Sequence, residues 1–191
     1  MVPVITWNTE RENQCLSSYA LIKTLDNGGF EFCQTGLIRK VLEATGMDHC
    51  NGLQTTTKVE APLGTNVNGS EAKIDWPKSY ASVIGMMLYL ASNKRPDISF
   101  AVYQCAWFTH NTKVSHETSA KRISRYLQGT KDNGLVFNPS KKLFVDFYAD
   151  ADFAGLWGHE YPQEPIFARS RTGFVVTFAN FPLLWVSKVQ T

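Results

Sequence analysis

Residues 79–93 read SYASVIGMMLYLASN, and this stretch decides the fold of the middle of the chain. Its apolar residues recur every three or four positions, which is the spacing of one face of a helix: Tyr80, Val83, Ile84, Met87, Leu88 and Ala91. Serine is a preferred helix-capping residue and proline cannot continue a helix. We therefore predict a helix that opens at Ser79 and closes near Asn93, shortly before Pro96, with its methionines in a packed core.

Three more helices are predicted on either side of this one. Thr35 is expected to cap a helix that ends at Gly46, with an inward face of Leu37, Ile38, Val41, Leu42 and Ala44. Asp97 is expected to cap the next helix, with a stripe of Ile98, Ala101, Val102, Cys105 and Phe108. Ser115 is expected to start the last, which ends at Gly129 and turns inward Ala120, Ile123, Tyr126 and Leu127. Residues 48–78, rich in Asn, Thr, Gly and Pro, are predicted to form a long connection.

Beyond Gly134 the apolar period becomes that of a strand, because Leu143, Val145, Phe147 and Ala149 alternate with other residues. We predict strands over about 143–150, 172–179 and 183–189, with Pro182 in the last turn, as an antiparallel meander. The change of pattern near residues 130–139 is taken as a boundary, so the fold class is α+β. Residues 1–30 are hard to interpret, and a short extended run, 30–33, follows them.

The composition is that of a folded protein, with 43% hydrophobic and 19% charged residues. Residues 79–134 carry seven Lys or Arg against three Asp or Glu, and this local excess favours attraction to polyanions. The four cysteines form no CxxC pair, so neither a zinc site nor a disulfide framework is expected. No apolar stretch is as long as a bilayer span, and we expect an intracellular, soluble protein without a membrane partner.

Carboxylates cluster on the first strand of the meander. Residues two apart on a strand project to the same side, which places Asp146, Asp150 and Asp152 on one face with Tyr148 among them. Mg²⁺ takes oxygen ligands, usually one or two carboxylates with water and phosphate oxygens. From spacing alone, two interpretations stay open: a magnesium site, or a solvated strand face.

Basic residues cluster on the last predicted helix, where Lys121, Arg122 and Arg125 span little more than one turn. Side chains of this kind make salt-sensitive, sequence-independent contacts to nucleic-acid phosphates. The alternative is a solvated helix face in which Arg125 pairs with Glu117 or Asp132. Both interpretations stay open from the residues alone.

Six ordered stretches of the sequence read as motifs: YASVIGMMLYLA (80–91), RPDISFAV (95–102), HETSAKRISRYLQGT (116–130), YADADFAG (148–155), SRTGF (170–174) and WVSKVQT (185–191). In this order they resemble motifs of copia-type retrotransposon Pol polyproteins. Gln34 begins a further run, QTGLI, similar to one in the family. Phe153 stands where the family commonly has tryptophan. The resemblance covers residues 32–191 and fits residues 1–30 poorly.

The resemblance implies an arrangement of domains: after a poorly readable segment 1–30, residues 31–134 would be the mostly helical C-terminal part of the reverse transcriptase and its connection, which helps hold template and primer. Residues 140–191 would begin a ribonuclease H-like domain as an incomplete three-stranded antiparallel meander. Asp150 aligns with that domain's first metal-binding aspartate, whereas Asp152 is not assigned as a ligand. The cofactor implied by the family is Mg²⁺, and the partner is an RNA–DNA hybrid bound weakly and without sequence specificity.

Most of the family's catalytic residues have no counterpart in this sequence. The polymerase motif Y-x-D-D does not occur, and the family's next acidic ligand falls beyond Thr191. One carboxylate cannot organise the pair of ions used in phosphodiester hydrolysis. We therefore expect a chain that is inactive alone, with Asp150 as the remnant of a catalytic and metal site and no productive binding of Mg²⁺. An unfinished sheet would also expose an apolar face and an edge, which favours self-association.

Three functions consequently remain open from the sequence. The preferred one is a non-catalytic fragment of a Pol polyprotein. The second is a ribonuclease H completed by residues outside this chain. The third is a nucleic-acid-binding module that uses Lys121, Arg122 and Arg125.

Overall fold

The computed structural model describes residues 14–17, 20–57, 63, 70, 79–138, 143–152 and 169–190. These residues form four α-helices: α1 (Thr35–Thr45), α2 (Tyr80–Asn93), α3 (Ser99–Ala106) and α4 (Val114–Gly129). They also form seven strands: β1 (Gln14–Ser17), β2 (Ala20–Thr24), β3 (Phe30–Cys33), β4 (Leu135–Phe137), β5 (Val145–Asp152), β6 (Arg171–Phe178) and β7 (Phe181–Val189). The mixed helix and sheet composition confirms the coarse fold class.

The core lies among the four helices. Each helix contributes most of the apolar stripe that its sequence period predicts, although Tyr126 of α4 is only partly buried; the largest fully buried side chains include Ile38, Ile84, Met87, Ile98, Ile123 and Leu127. In α2 the inward face is rotated slightly from the prediction, because Leu90 is fully buried while Leu88 is only partly buried. Burying side chains of this size stabilises a fold by about 1.5–3 kcal/mol each.

Several predicted helix boundaries are confirmed at residue level, among them the end of α4 at Gly129. The Ser79 hydroxyl accepts a hydrogen bond from the backbone N–H of Ser82 (3.4 Å) and caps α2, which ends at Asn93 as predicted. Gly46 follows α1 with a φ of 65°, in the left-handed region, and its N–H bonds to carbonyls of the last turn. Glycine adopts this conformation without the penalty of a side chain.

Two capping predictions and one predicted helix start are wrong. Thr35 is the first residue of α1 rather than its cap, and its hydroxyl donates to the carbonyl of Lys131 (3.4 Å). Asp97 lies in a short 3-10 helix, Pro96–Ile98, and does not cap α3. The last helix begins one residue before Ser115, and the Nδ1 atom of His116 accepts from the N–H of Lys113 (3.0 Å).

A four-stranded antiparallel sheet has the order β1-β2-β3-β4. Only β3 was predicted, as the extended run 30–33. Strand β4 follows α4 directly and pairs with β3, so Phe30 lies opposite Phe137 and Phe32 opposite Leu135. The segment 135–137, which falls inside the boundary region predicted near 130–139, therefore extends the N-terminal sheet.

A second sheet, β5-β6-β7, is the predicted antiparallel meander. Its last turn differs from the prediction. Ala179 and Asn180 form the hairpin with φ values of 48° and 66°, a pair of positive angles typical of a two-residue turn that matches strand twist. Pro182 lies inside β7, opposite Thr177, beside an irregularity in the strand register.

The second sheet packs against the rest of the chain through β7 and one end of β6. The Phe181 ring contacts Phe32 and Phe137, with ring centroids 5.5 and 5.6 Å away. The indole N–H of Trp185 donates to the carbonyl of Ala91 in α2 (2.6 Å). Within the described ranges, no helix is long and apolar enough to cross a membrane.

Candidate functional site

Asp150 lies on β5, an edge strand of the second sheet, and its side chain is exposed. It pairs with Gly173 of β6, which in turn pairs with Ser187 of β7. Directly paired residues of an antiparallel sheet project to the same side. Two residues along β7, Trp185 lies on this side too, so the Asp150 carboxylate projects from the face of the sheet that packs on α2.

A metal site is not assembled by the carboxylates of β5 that the structure describes. Asp146 and Asp150 are four residues apart, which on a strand separates their backbones by about 13 Å, too far for one ion. The side chain of Asp152 lies outside the described residues. Across the described part of the chain, no group of three His, Cys, Asp or Glu side chains could hold a metal ion. The assignment of Asp150 to a magnesium site therefore stays a prediction.

The opposite face of the second sheet is apolar and open. Phe147 and Val145 are both 65% exposed, and Leu184 is 54% exposed. Among the ring contacts that the structure describes, the Phe147 ring stacks only on Phe174 of the neighbouring strand, with ring centroids 5.9 Å apart. The predicted self-association through this face stays a prediction.

The three basic residues predicted to contact nucleic acid are all on α4, and each has a partner within the chain. Lys121 forms an ion pair with Glu117 (2.6 Å) on the preceding turn. A terminal nitrogen of Arg122 donates to the hydroxyl of Thr55, and the Nε of Arg125 donates to the carbonyl of Asn51 (3.1 Å). The suggested pairing of Arg125 with Glu117 is not found, since Lys121 takes that carboxylate. Binding of nucleic acid by these residues stays a prediction.

A polar network joins the start of α3 to the end of α4, and sequence reasoning missed it. Arg95 is 5% exposed, and its guanidinium donates to both carboxylate oxygens of Asp97 (2.7–3.2 Å). The same guanidinium donates to the carbonyl and hydroxyl of Thr130 (3.2 and 2.7 Å). The Tyr126 hydroxyl donates to Asp97 (2.8 Å). This network explains why Asp97 is not a helix cap.

The ionisation of Asp97 reflects two opposing effects. Burial by itself raises the pKa of the carboxyl group, but the hydrogen bonds and charge of Arg95 and the hydroxyl of Tyr126 outweigh burial and hold the pKa below its ordinary value. Asp97 is therefore a carboxylate at neutral pH. The signal in the sequence was the R-x-D spacing in 95–97, which places two opposite charges at a helix-breaking proline.

The outward face of α2 carries no charge, and a glycine lies at its centre. The helix has no Asp, Glu, Lys or Arg in Tyr80–Asn93. A Cβ atom built on Gly85 would meet no atom of the described residues within 4 Å, and Tyr89, one turn further on, is 50% exposed. Ser82, one turn earlier, is also exposed. A ligand can therefore approach the backbone of α2 closely beside an aromatic ring.

Comparison with known proteins returns transposon proteins over most of the chain. The Retrovirus-related Pol polyprotein from transposon RE1 of Arabidopsis thaliana is 32% identical over 162 residues, 85% of this chain and 10% of that protein. The corresponding polyprotein from transposon TNT 1-94 of Nicotiana tabacum is 30% identical over 164 residues, 82% of this chain and 11% of that protein. A protein named Secreted RxLR effector protein 161, from Plasmopara viticola, is 32% identical over 111 residues, 58% of this chain and 72% of its own length.

These relatives define a class, the retrovirus-related Pol polyproteins of transposons. The chain belongs to the copia-type retrotransposon Pol family. It spans about a tenth of the length of the Pol polyproteins that it matches. No family model matches the chain, and no solved structure matches it.

Proposed function

We propose that this chain is the reverse transcriptase–ribonuclease H junction of a copia-type Pol protein, and that it holds an RNA–DNA duplex without cutting it. In this proposal, residues 31–134 are the C-terminal and connection part of the reverse transcriptase, and residues 140–191 begin the ribonuclease H-like domain. The observation that carries the proposal is the open, uncharged face of α2, described by Ser82, Gly85 and Tyr89. Membership in the Pol family supplies the ligand class.

The α2 face suits a polyanionic duplex for two physical reasons. Without an acidic side chain on the helix, no like charge opposes the approach of phosphates. The missing Cβ at Gly85 lets the sugar–phosphate backbone approach the helix closely, and the exposed Tyr89 ring adds apolar contact area while its hydroxyl can bond a sugar or phosphate oxygen. Contacts of this kind read the shape of a duplex and not its sequence.

In this proposal, the chain does not cleave RNA because it provides too few carboxylate ligands for Mg²⁺. Asp150 is the residue that the Pol resemblance assigns to metal binding, and no group of three His, Cys, Asp or Glu side chains among the described residues could hold a metal ion. When bound, Mg²⁺ would activate water and stabilise the leaving oxygen. Asp150 alone would hold one ion loosely, in contact with solvent.

A pair of glycine variants tests the duplex surface. Gly85→Glu adds a negative side chain in open space on α2, whereas Gly36→Glu makes the same change at an exposed position of α1. Replacing a helix glycine removes a helix-weakening residue, and neither variant is expected to lose stability. We expect Gly85→Glu to weaken binding of an RNA–DNA hybrid at least tenfold in fluorescence anisotropy, with Gly36→Glu within twofold of the native chain.

Tyr89→Ala provides an independent reading, with an expected loss of about 1–2 kcal/mol of binding free energy. Equal affinity of the native chain, Gly85→Glu and Tyr89→Ala for the hybrid would show that α2 is not part of the duplex surface.

The alternative function, a ribonuclease H completed from outside the chain, is favoured by the exposure of Asp150 on an edge strand. It predicts Mg²⁺-dependent cleavage once the remaining carboxylates are supplied.

A further inference from the structure

The segment 48–55, the first part of the long connection that follows α1, is held against α4 by side chains of that helix. The Nε of Arg125 donates to the carbonyl of Asn51 (3.1 Å), and the side-chain amide of Gln128 donates to the carbonyl of Asp48 (2.9 Å). A terminal nitrogen of Arg122 donates to the hydroxyl of Thr55 (2.5 Å). The three donors are spaced three residues apart and so form one strip on the helix surface.

The backbone of the segment also contacts α4 directly. The N–H of Leu53 donates to the carbonyl of Arg125 (3.1 Å). Gly52 contacts Gly129 directly, and a Cβ atom added at Gly52 would lie 2.5 Å from the Cα of Gly129. Real side chains do not tolerate such a distance, so this contact requires glycine on the segment.

We infer that the basic strip of α4 is a clasp for segment 48–55, and that Arg122, Arg125 and Gln128 are positioning residues for that segment and not phosphate ligands. The donors of the strip point at carbonyl and hydroxyl oxygens that are 67 to 80 residues away in the sequence. A phosphate that approached the same donor atoms would compete with these oxygens for their hydrogens. Lys121 does not share this role, because its ammonium group pairs with Glu117.

The fit of Arg122 is incomplete, which indicates where the clasp is weakest. Its Nε is buried and has no hydrogen-bond partner among the described residues. An unsatisfied buried donor costs about 1–3 kcal/mol, which offsets part of the bond to Thr55. Arg125 and Gln128, which bond backbone carbonyls, therefore carry the clasp.

The clasp is independent of the proposed duplex surface on α2, and one experiment separates them. Hydrogen exchange of the full chain is measured for the native sequence, the double variant Arg125→Ala/Gln128→Ala and the control Lys121→Ala. The double variant should exchange the amides of 48–55, Leu53 above all, about tenfold faster, since one or two net hydrogen bonds are lost. The control should leave this segment unchanged, and exchange in the interior of α2 should be the same in all three chains.

Binding of an RNA–DNA hybrid by the same chains gives the second readout. We expect the double variant to bind within twofold of the native chain, while its segment is released. The double variant Arg125→Lys/Gln128→Ala keeps the positive charge but lacks the planar donor, so it should release the segment as well. Unchanged exchange of 48–55 in the double variant would overturn the clasp. A tenfold loss of hybrid affinity in Arg125→Ala/Gln128→Ala that is absent from Arg125→Lys/Gln128→Ala would also overturn it, because that result would assign the positive charge of the strip to phosphate binding.

Discussion

Removal of the Asp97 carboxylate tests the network that fixes the helices relative to each other. The Arg95 side chain is 6% exposed and the Asp97 side chain 37% exposed, so Asp97→Ala leaves a buried guanidinium without its counter-ion. Breaking a fully buried ion pair costs about 3–5 kcal/mol. Here the cost is smaller, because the carboxylate is partly solvated and the guanidinium keeps both bonds to Thr130. We expect a loss of about 2–3 kcal/mol in the free energy of unfolding.

Urea unfolding followed by circular dichroism measures this loss. With a slope of about 2 kcal/mol per molar urea for a chain of this size, the midpoint should fall by about 1–1.5 M. The matched variant Arg95→Met removes the charge and keeps an apolar stem, and in that background Asp97→Ala should cost less than about 1 kcal/mol. Equal costs of Asp97→Ala in both backgrounds would show that the two residues are not coupled, and the account of this corner would be refuted.

Two further predictions concern the same framework. Because the pKa of Asp97 is lowered in the folded state, its contribution to stability is fully present above the ordinary carboxyl pKa and is lost as the pH falls through the lowered pKa. The unfolding free energy of Asp97→Asn should therefore fall less steeply between pH 5 and pH 2 than that of the native chain. Parallel curves for the two chains would contradict this. Trp185→Phe removes the hydrogen bond to the carbonyl of Ala91 but keeps an aromatic ring at this position. Because the hydroxyl of Ser99 still donates to that carbonyl (3.2 Å), the free energy of unfolding in urea should fall by only about 1 kcal/mol. A fall below about 0.3 kcal/mol would mean that this bond does not anchor the second sheet.

The helices could be predicted from the sequence because their determinants are local. The α2 stripe, its Ser79 cap and the Gly46 terminus depend on residues within one or two turns, and they are confirmed except for Leu88, which is only partly buried. Asp97 shows the limit of such reasoning. Its preference for a helix N-terminus is also local, but Arg95 and Tyr126, the latter 29 residues away, offer its carboxylate stronger partners.

Strands that form only by pairing with residues far away in the sequence were not predicted. Strand β4 has only three residues, Leu135–Phe137, and becomes a strand because β3 lies beside it, about 100 residues earlier in the chain. Strands β1 and β2 show little alternation of apolar and polar residues and are likewise defined by their neighbours. The β5 strand was predictable because its alternation is strong.

The functional surfaces divide in the same way. The position of Asp150 on a strand followed from the period of its neighbours. The partners of Arg122 and Arg125 did not, because Thr55 and Asn51 are 67 and 74 residues away and lie in a stretch without periodicity. The open face of α2 could have been noticed from the lack of charge in 80–93, although only the structure shows that Gly85 and Tyr89 are uncovered.

Incubation of the native chain with a labelled RNA–DNA hybrid in Mg²⁺, read first by anisotropy and then on a denaturing gel, tests the proposed function most directly. A duplex holder with one carboxylate should bind the hybrid and leave the RNA strand intact for the native chain and for Asp150→Asn alike. Fragments of the RNA that form with the native chain and disappear in Asp150→Asn would contradict it.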